Sequence, residues 1–436
     1  MRRITGFLLI PLFLFILFAE TASANEVTDW YEIMLRASLV AGANPLTMSR
    51  NSAVVQASVF DAVNGIERRY TPIHVPATGP ASASQRAAAV QAAYVALVKL
   101  YPTQLATFDA RRTISLSAIT ASESSAAVAS GIAWGDSVAN QIWEWRLTDG
   151  IGTTTPAWTG NTAIGQWRPT PNSPYAGTSA NGAGYPQFVF MVPWVMSSPS
   201  SFRPGPPPAL GSALYARDFN EVKSKGSSSS LTRTTDETSA AYFWNSATAS
   251  YLWGNVALSL MEVGPDKDGE GDHNGKSQRP SSVLENARLL GQLSVAMADA
   301  AIGCWDAKYT YNYWRPITAI RDTGDDGNAA TTSDATWSPL FATPAHPEYP
   351  SGHSCVSGAA TTILANEFGD KTRFRMDSDI LPGVTRSFRS FNEALEDVKD
   401  ARIFAGIHFR TATDVGTSIG ASAGRSVLLN AFNPVH

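Results

Sequence analysis

From Leu290 to Arg315 the residues Leu290, Leu293, Met297, Ala301, Cys304, Lys308, Tyr311 and Arg315 recur at steps of three and four, so a lysine and an arginine continue an otherwise apolar stripe. The pattern predicts a helix from Ser282 to Trp314 with one buried face, ended or kinked by Pro316. Seven residues make about two turns, which puts Lys308 and Arg315 on one face about 10 Å apart along the axis. Unpaired cations are costly to bury and no acidic residue falls on the stripe, so something anionic should meet them. A structural ion pair with an acid elsewhere in the chain is the plainer account of either cation alone.

Two more segments repeat the theme. Pro350-Ser351-Gly352-His353 leads into a small-residue helical pattern, Ser354–Phe368, closed by Gly369. The free N–H groups and positive end of that helix would face whatever sits beside Ser351 and Gly352, with His353 placed for proton transfer. In isolation the same tetrapeptide reads as an N-cap serine and a surface histidine. Ser390 and Glu393 then form a capping box for a helix whose inward stripe is Phe391, Leu395, Val398, Arg402 and Ala405, with His408 one step on near Gly406. A histidine there, taken alone, is a core imidazole satisfied by a carbonyl. Three cations at Lys308, Arg315 and Arg402, on stripes without acids, favour an oxyanion site over separate ion pairs.

The rest of the chain bounds the fold. Met1-Arg2-Arg3, an apolar run from Phe7 to Ala19 and Ala22-Ser23-Ala24 read as a cleavable signal over residues 1–24, which implies export to the periplasm or beyond. No later apolar run is long enough to cross a bilayer, so the mature protein is expected to be soluble. The net charge of −4 with scattered basic residues gives no footprint for nucleic acid. Helices are predicted over 51–63, 84–100, 121–148, 213–225 and 238–263. Residues 150–211 are rich in Pro, Gly, Ser and Thr, interleaved with Trp158, Trp167, Tyr185, Phe188 and Trp194, and read as an ordered wrap against the body. The expected architecture is all-α, two packed helical bundles, with residues 25–263 forming an N-terminal half and 264–436 a C-terminal half that carries the site. The acidic loop of Asp266, Asp268, Glu270 and Asp272 lacks the terminal bidentate Glu of a calcium loop, since Ser277 stands there, and reads as a solvated turn. Asp322, Asp325 and Asp326 read likewise. The cysteines, Cys304 and Cys355, each flank a proposed site residue, and both a disulfide and two free core thiols fit them.

Lys308-x6-Arg315-Pro316, Pro350-Ser351-Gly352-His353 and Arg402-x5-His408 together resemble the signature of the vanadium-dependent haloperoxidases and type 2 phosphatidic acid phosphatases. Trp305-Asp306-Ala307-Lys308-Tyr309, Trp314-Arg315-Pro316 and Ala405-Gly406-Ile407-His408-Phe409 are similar to bacterial members of the haloperoxidase branch, and Phe60-Asp61-Ala62-Val63-Asn64 extends the likeness towards the N-terminus. The resemblance implies vanadate as cofactor, its equatorial oxygens held by Lys308, Arg315, Ser351, Gly352 and Arg402, with His408 bonding the metal and His353 acting as acid–base. It implies peroxide and halide as substrates, with an organic acceptor. His346, seven before His353, stands where bromoperoxidases of the family have histidine, which points to bromide. The family's aspartate four residues after the metal-linked histidine is Ala412 here, and Asp414, two further on, is the expected substitute partner for the His408 ring. A soluble acid phosphatase in which His408 attacks phosphorus is the alternative on the same residues; a non-catalytic oxyanion-binding protein, suggested by Ala412, is a third.

Overall fold

The computed structural model describes residues 25–171, 173, 184–262, 282–322 and 326–435. The signal segment, the acidic loop at 264–275 and Asp325 therefore lie outside the described residues. The N-terminal part holds α1 (Glu26–Val40), α2 (Pro45–Glu67), α3 (Gln85–Leu100), α4 (Leu105–Thr120) and α5 (Ser125–Arg146). After the irregular wrap come α6 (Ala213–Lys225), α7 (Thr235–Asn245), α8 (Ala249–Glu262), α9 (Val283–Tyr311), α10 (Pro316–Arg321), α11 (Gly352–Phe368), α12 (Phe391–Phe404) and α13 (Arg410–Asn430). The expected helix over 238–263 is two, because the chain turns between Asn245 and Ala249.

The helices pack as two clusters. In one, α2 lies against α3, α5 and α9; in the other, α9 and α12 pack on α11, and α11 packs along α13. Thus α9 belongs to both, and α2 and α9 are the central pair. Each carries a buried aspartate that gathers three successive backbone N–H groups. Asp61 on α2 accepts from Ile73, His74 and Val75 at 2.8–2.9 Å. Asp299 on α9 accepts from Trp194, Val195 and Met196 at 2.7–2.9 Å, which fastens the wrap to the second cluster. Trp167, Phe188 and Trp194 of the wrap are buried, and the Arg146 guanidinium lies 4.2 Å from the Trp194 ring centre. The aromatics of this Pro- and Gly-rich segment thus supply apolar burial where no helix does.

Among the described residues, one small antiparallel hairpin departs from the all-helical expectation. In β1 (Phe374–Asp377) and β2 (Thr385–Phe388) Phe374 pairs with Phe388, and Phe374 and Met376 point inward while Arg375 and Asp377 are exposed. The alternation is only four residues long, too short to stand out from loop texture.

The structure corrects the end of the long helix. Asn312 adopts a left-handed conformation (φ 47°) and caps α9 at Tyr311. Arg315 is extended (φ −83°, ψ 155°) and precedes α10, as a residue before proline prefers. Residues 312–314 are held by the wrap, with Asn312 O accepting from Trp167 N at 2.7 Å and Trp314 N donating to Gly165 O at 3.1 Å. Lys308 and Arg315 therefore do not share a helix face; they reach the same place from either side of a break. Among the described residues no helix is long and apolar enough to cross a membrane.

Candidate oxyanion site

Lys308 is fully buried in the last turn of α9, and its ammonium donates to the carbonyls of Pro347 (3.0 Å), Glu348 (3.0 Å) and Pro350. An ammonium has three protons, so all are engaged; Lys308 contributes positive charge and fastens the loop that delivers Ser351. Burial lowers its pKa to about 8. Arg315 donates from Nε to His346 O (2.9 Å) and from Nη1 to Ile407 O (2.8 Å), and Nη1 lies 3.3 Å from His408 Nε2. Arg402, on the inward face of α12, is buried with Nε lacking any partner, and its Nη1 makes only a long 3.4 Å bond to Asn245 Oδ1. Burial lowers Arg315 to about 10 and Arg402 to about 9.

The Ser351 hydroxyl caps α11 by accepting from Ser354 N (3.4 Å), while the Ser351 N–H donates to Ala412 O. Gly352 opens α11, so its N–H is one of the first-turn donors that no intrahelical carbonyl reaches. A Cβ at Gly352 would sit 3.3 Å from the Trp305 ring, so the bare glycine keeps the helix end close to that indole. His353 bonds the Trp244 backbone, whose carbonyl takes a ring N–H, and leaves Nε2 buried and unpartnered. Burial, then the charge of Arg402, holds His353 well below the usual histidine range. His346 lies 3.0 Å from Arg315 Nη2 through Nδ1, with its ring 4.8 Å from that of Trp305. Burial, then the charges of Lys308 and Arg315, lowers it in the same way.

His408 sits in the turn between α12 and α13. Its Nδ1 is 2.8 Å from Glu348 Oε1, which also accepts from Phe409 N at 2.9 Å. Arg315 Nη1, 3.3 Å from Nε2, can only donate, so the neutral ring accepts there and carries its proton on Nδ1, which donates to Oε1. The other oxygen, Oε2, is buried and has no partner among the described residues. Burial raises Glu348 to about 7. Burial, followed by the charges of Arg315, Lys308 and Arg402, holds His408 well below the ordinary histidine range.

Asp414 does not meet the imidazole. It is exposed and bridges Lys399 Nζ at 2.8 Å. Two residues further along α13 than position 412 is about 200° of rotation, which carries the side chain to the outer face. Glu348 stands instead at the ring, and its one sequence signal was an acid between two prolines in the segment leading to Ser351. The cysteines are both free and buried, with Cys304 Sγ 3.8 Å from Pro350 O. Asp322 pairs with Arg168 at 2.7 Å and Asp326 accepts from Asn328 N and Thr331 Oγ1, so these two acids serve local structure.

The site thus gathers three buried cations against one carboxylate, leaving two positive charges with Glu348 ionised and three with it neutral. Arg402 Nε, His353 Nε2 and Ser354 Oγ are buried polar atoms without partners among the described residues. Such a set is costly unless a compact, multiply charged oxygen acceptor completes it, which a tetrahedral oxyanion does. Fold and site define a helical protein built around an oxyanion pocket. Residues 288–435 match a family model described as the VCPO second helical-bundle domain. Vanadium chloroperoxidase of Curvularia inaequalis is 26% identical over 191 residues, a match spanning 33% of this chain and only 29% of that relative. The crystal structure of the first bacterial vanadium-dependent iodoperoxidase superposes with a TM-score of 0.75 at 27% identity, covering 94% of this chain and 97% of that one. A holo-type bacterial vanadium-dependent chloroperoxidase shares the fold, with a TM-score of 0.63 at 19% identity over 88% and 91% of the two chains. The chain is homologous to the vanadium-dependent haloperoxidases of the bacterial branch.

Proposed function

We propose that this protein is an exported vanadate-dependent haloperoxidase that oxidises halide, bromide in preference, with hydrogen peroxide. The observation that carries the reading is the His408 Nε2 lone pair, directed by Glu348 into a pocket with excess positive charge. Vanadate would be held by the charge of Lys308, Arg315 and Arg402, by the N–H of Gly352 and the hydroxyl of Ser351, and by His408; once bound it supplies Lewis-acid activation of peroxide. The unpartnered Nε2 of His353 is an acceptor for a proton leaving the incoming peroxide and can return it to the departing oxygen. The buried cations stabilise the negative charge that develops on the transferred oxygens without needing to reorganise. His346 and Trp305 border the pocket, and a histidine beside Arg315 is the residue on which the bromide preference rests.

The test is to assay the purified protein for peroxide-dependent bromination and for phosphate-ester hydrolysis, each with and without added vanadate. Bromination that requires vanadate supports the proposal. Hydrolysis that vanadate inhibits would replace it with a phosphatase whose nucleophile is His408, and inactivity in both would leave an oxyanion-binding protein.

A further inference from the structure

We infer that Glu348 is the positioning residue for His408, in the place that an acid at position 412 on the first turn of α13 would otherwise fill. The inference rests on the vanadate reading of the site. Ala412 is buried and has only a methyl group to offer, while its carbonyl is taken by Ser351 N. The carboxylate comes instead from the loop between α10 and α11. That loop is held from three sides: Glu348 N donates to Tyr313 O at 2.9 Å, Glu348 O accepts from Lys308 at 3.0 Å, and Arg315 Nε holds His346 O at 2.9 Å. A side chain on so constrained a backbone, itself fully buried, fixes both the plane and the tautomer of the ring it touches. One residue thereby joins two components of the site: its main chain takes a proton of the Lys308 ammonium and its side chain takes the Nδ1 proton of His408. The rival role is that of a simple cap, since Oε1 also accepts the N–H of Phe409, the residue preceding α13.

Glu348→Gln separates the roles, because its amide oxygen keeps the shape and both accepted bonds but not the charge. Orthovanadate and inorganic phosphate are titrated separately into the full chain, by calorimetry and, for vanadate, by 51V resonance. Vanadate would draw on the His408 ring nitrogen as a donor to the metal, whereas phosphate in its ground state would be held by charge and hydrogen bonds alone. If Glu348 positions His408 and raises its basicity, E348Q weakens vanadate by about ten- to a hundredfold. The same change removes a negative charge beside an anion, so phosphate affinity should stay level or rise. Unchanged affinity for both anions would mean a structural cap, since the amide oxygen keeps the bond from Phe409 N; equal weakening would mean a general disturbance of the pocket, and equal tightening charge alone; each of these results overturns the proposal. His408→Ala is the second arm. If it leaves vanadate affinity intact, the coordination reading falls and Glu348 with it; if it weakens vanadate while E348Q does not, only the role of Glu348 falls. Should E348Q fail to fold, 15N shifts of the His408 ring in the unaltered protein decide: a protonated Nδ1 agrees, and a protonated Nε2 refutes.

Discussion

Gly420→Ala should disable the site from a distance. A Cβ at Gly420 on α13 would lie 1.9 Å from the Cys355 carbonyl oxygen and 2.7 Å from Ala359 N, both backbone atoms of α11. Since a carbon–oxygen contact settles near 3.3 Å, the two helices must part by about 1.4 Å at that crossing. Cys355 is one turn from Ser351 and Gly352, and α13 begins two residues after His408, so the displacement reaches both walls of the pocket. Overpacking of this kind costs about 1–3 kcal/mol, and collision with backbone atoms of α11 rather than a flexible side chain places it at the upper end. A misplacement of about 1 Å in a preorganised site costs about a hundredfold in rate. Urea denaturation should show the stability loss, and vanadate-dependent bromination should fall about a hundredfold. Gly303→Ala on α9 is the control: its nearest neighbours lie at 3.6 Å, an ordinary contact, and a mid-helix Gly-to-Ala change gains up to about 1 kcal/mol. G420A with unchanged stability and unchanged turnover would refute the claim that this backbone contact sets the pocket.

His353→Ala should leave oxyanion affinity largely intact yet slow turnover by about 10²–10⁴-fold, read by vanadate titration beside steady-state bromination; parallel losses in both would remove its proton-transfer role. Asp414→Asn should change stability by less than about 0.5 kcal/mol and leave vanadate affinity unchanged, since the carboxylate is an exposed partner of Lys399. Lys308 has its pKa lowered to about 8 by burial, so it is charged below that value and neutral above it. Phosphate affinity in the unaltered protein should therefore fall as pH rises through about 8, and a flat profile from pH 7 to 9 would contradict it.

The cations that lie on helices were legible from periodicity, and Ser351, His346 and His408, in a cap, a loop and a turn, from their motifs, whereas the loop acid Glu348 was not legible. Arg402 stands on the inward face of α12 because the 3.6-residue period put it there, and Lys308 follows the α9 stripe for the same reason. Arg315 is in the pocket although the periodic argument for it fails: Asn312 ends the helix, and a proline-directed extended residue brings the guanidinium in. Glu348 was hidden because periodicity says nothing about a segment between two prolines, where a side chain's direction depends on distant partners such as Tyr313 and Lys308. Asp414 looked plausible by its separation from His408 along the chain, but a helix converts two residues into a change of face. The wrap was recognisable from its aromatics, whereas its fastening to α9 through Asp299 was not, since that bond joins residues more than a hundred positions apart.

On the proposed function, the burial of Cys304 and Cys355 bears on how long the protein survives its own product. Hypohalous species attack thiols and thioethers readily, converting thiols through sulfenic to irreversible sulfonic acids and methionine to its sulfoxide. Neither thiol has exposed surface, Cys304 being packed behind the Pro350 carbonyl, and Met34, Met48, Met191, Met196, Met297 and Met376 are buried as well. Among the described methionines only Met261 retains partial exposure. Apart from Met261, the described sulfur is thus kept out of the solvent into which oxidant would escape, and at the pocket wall the Trp305 indole would meet it before either thiol.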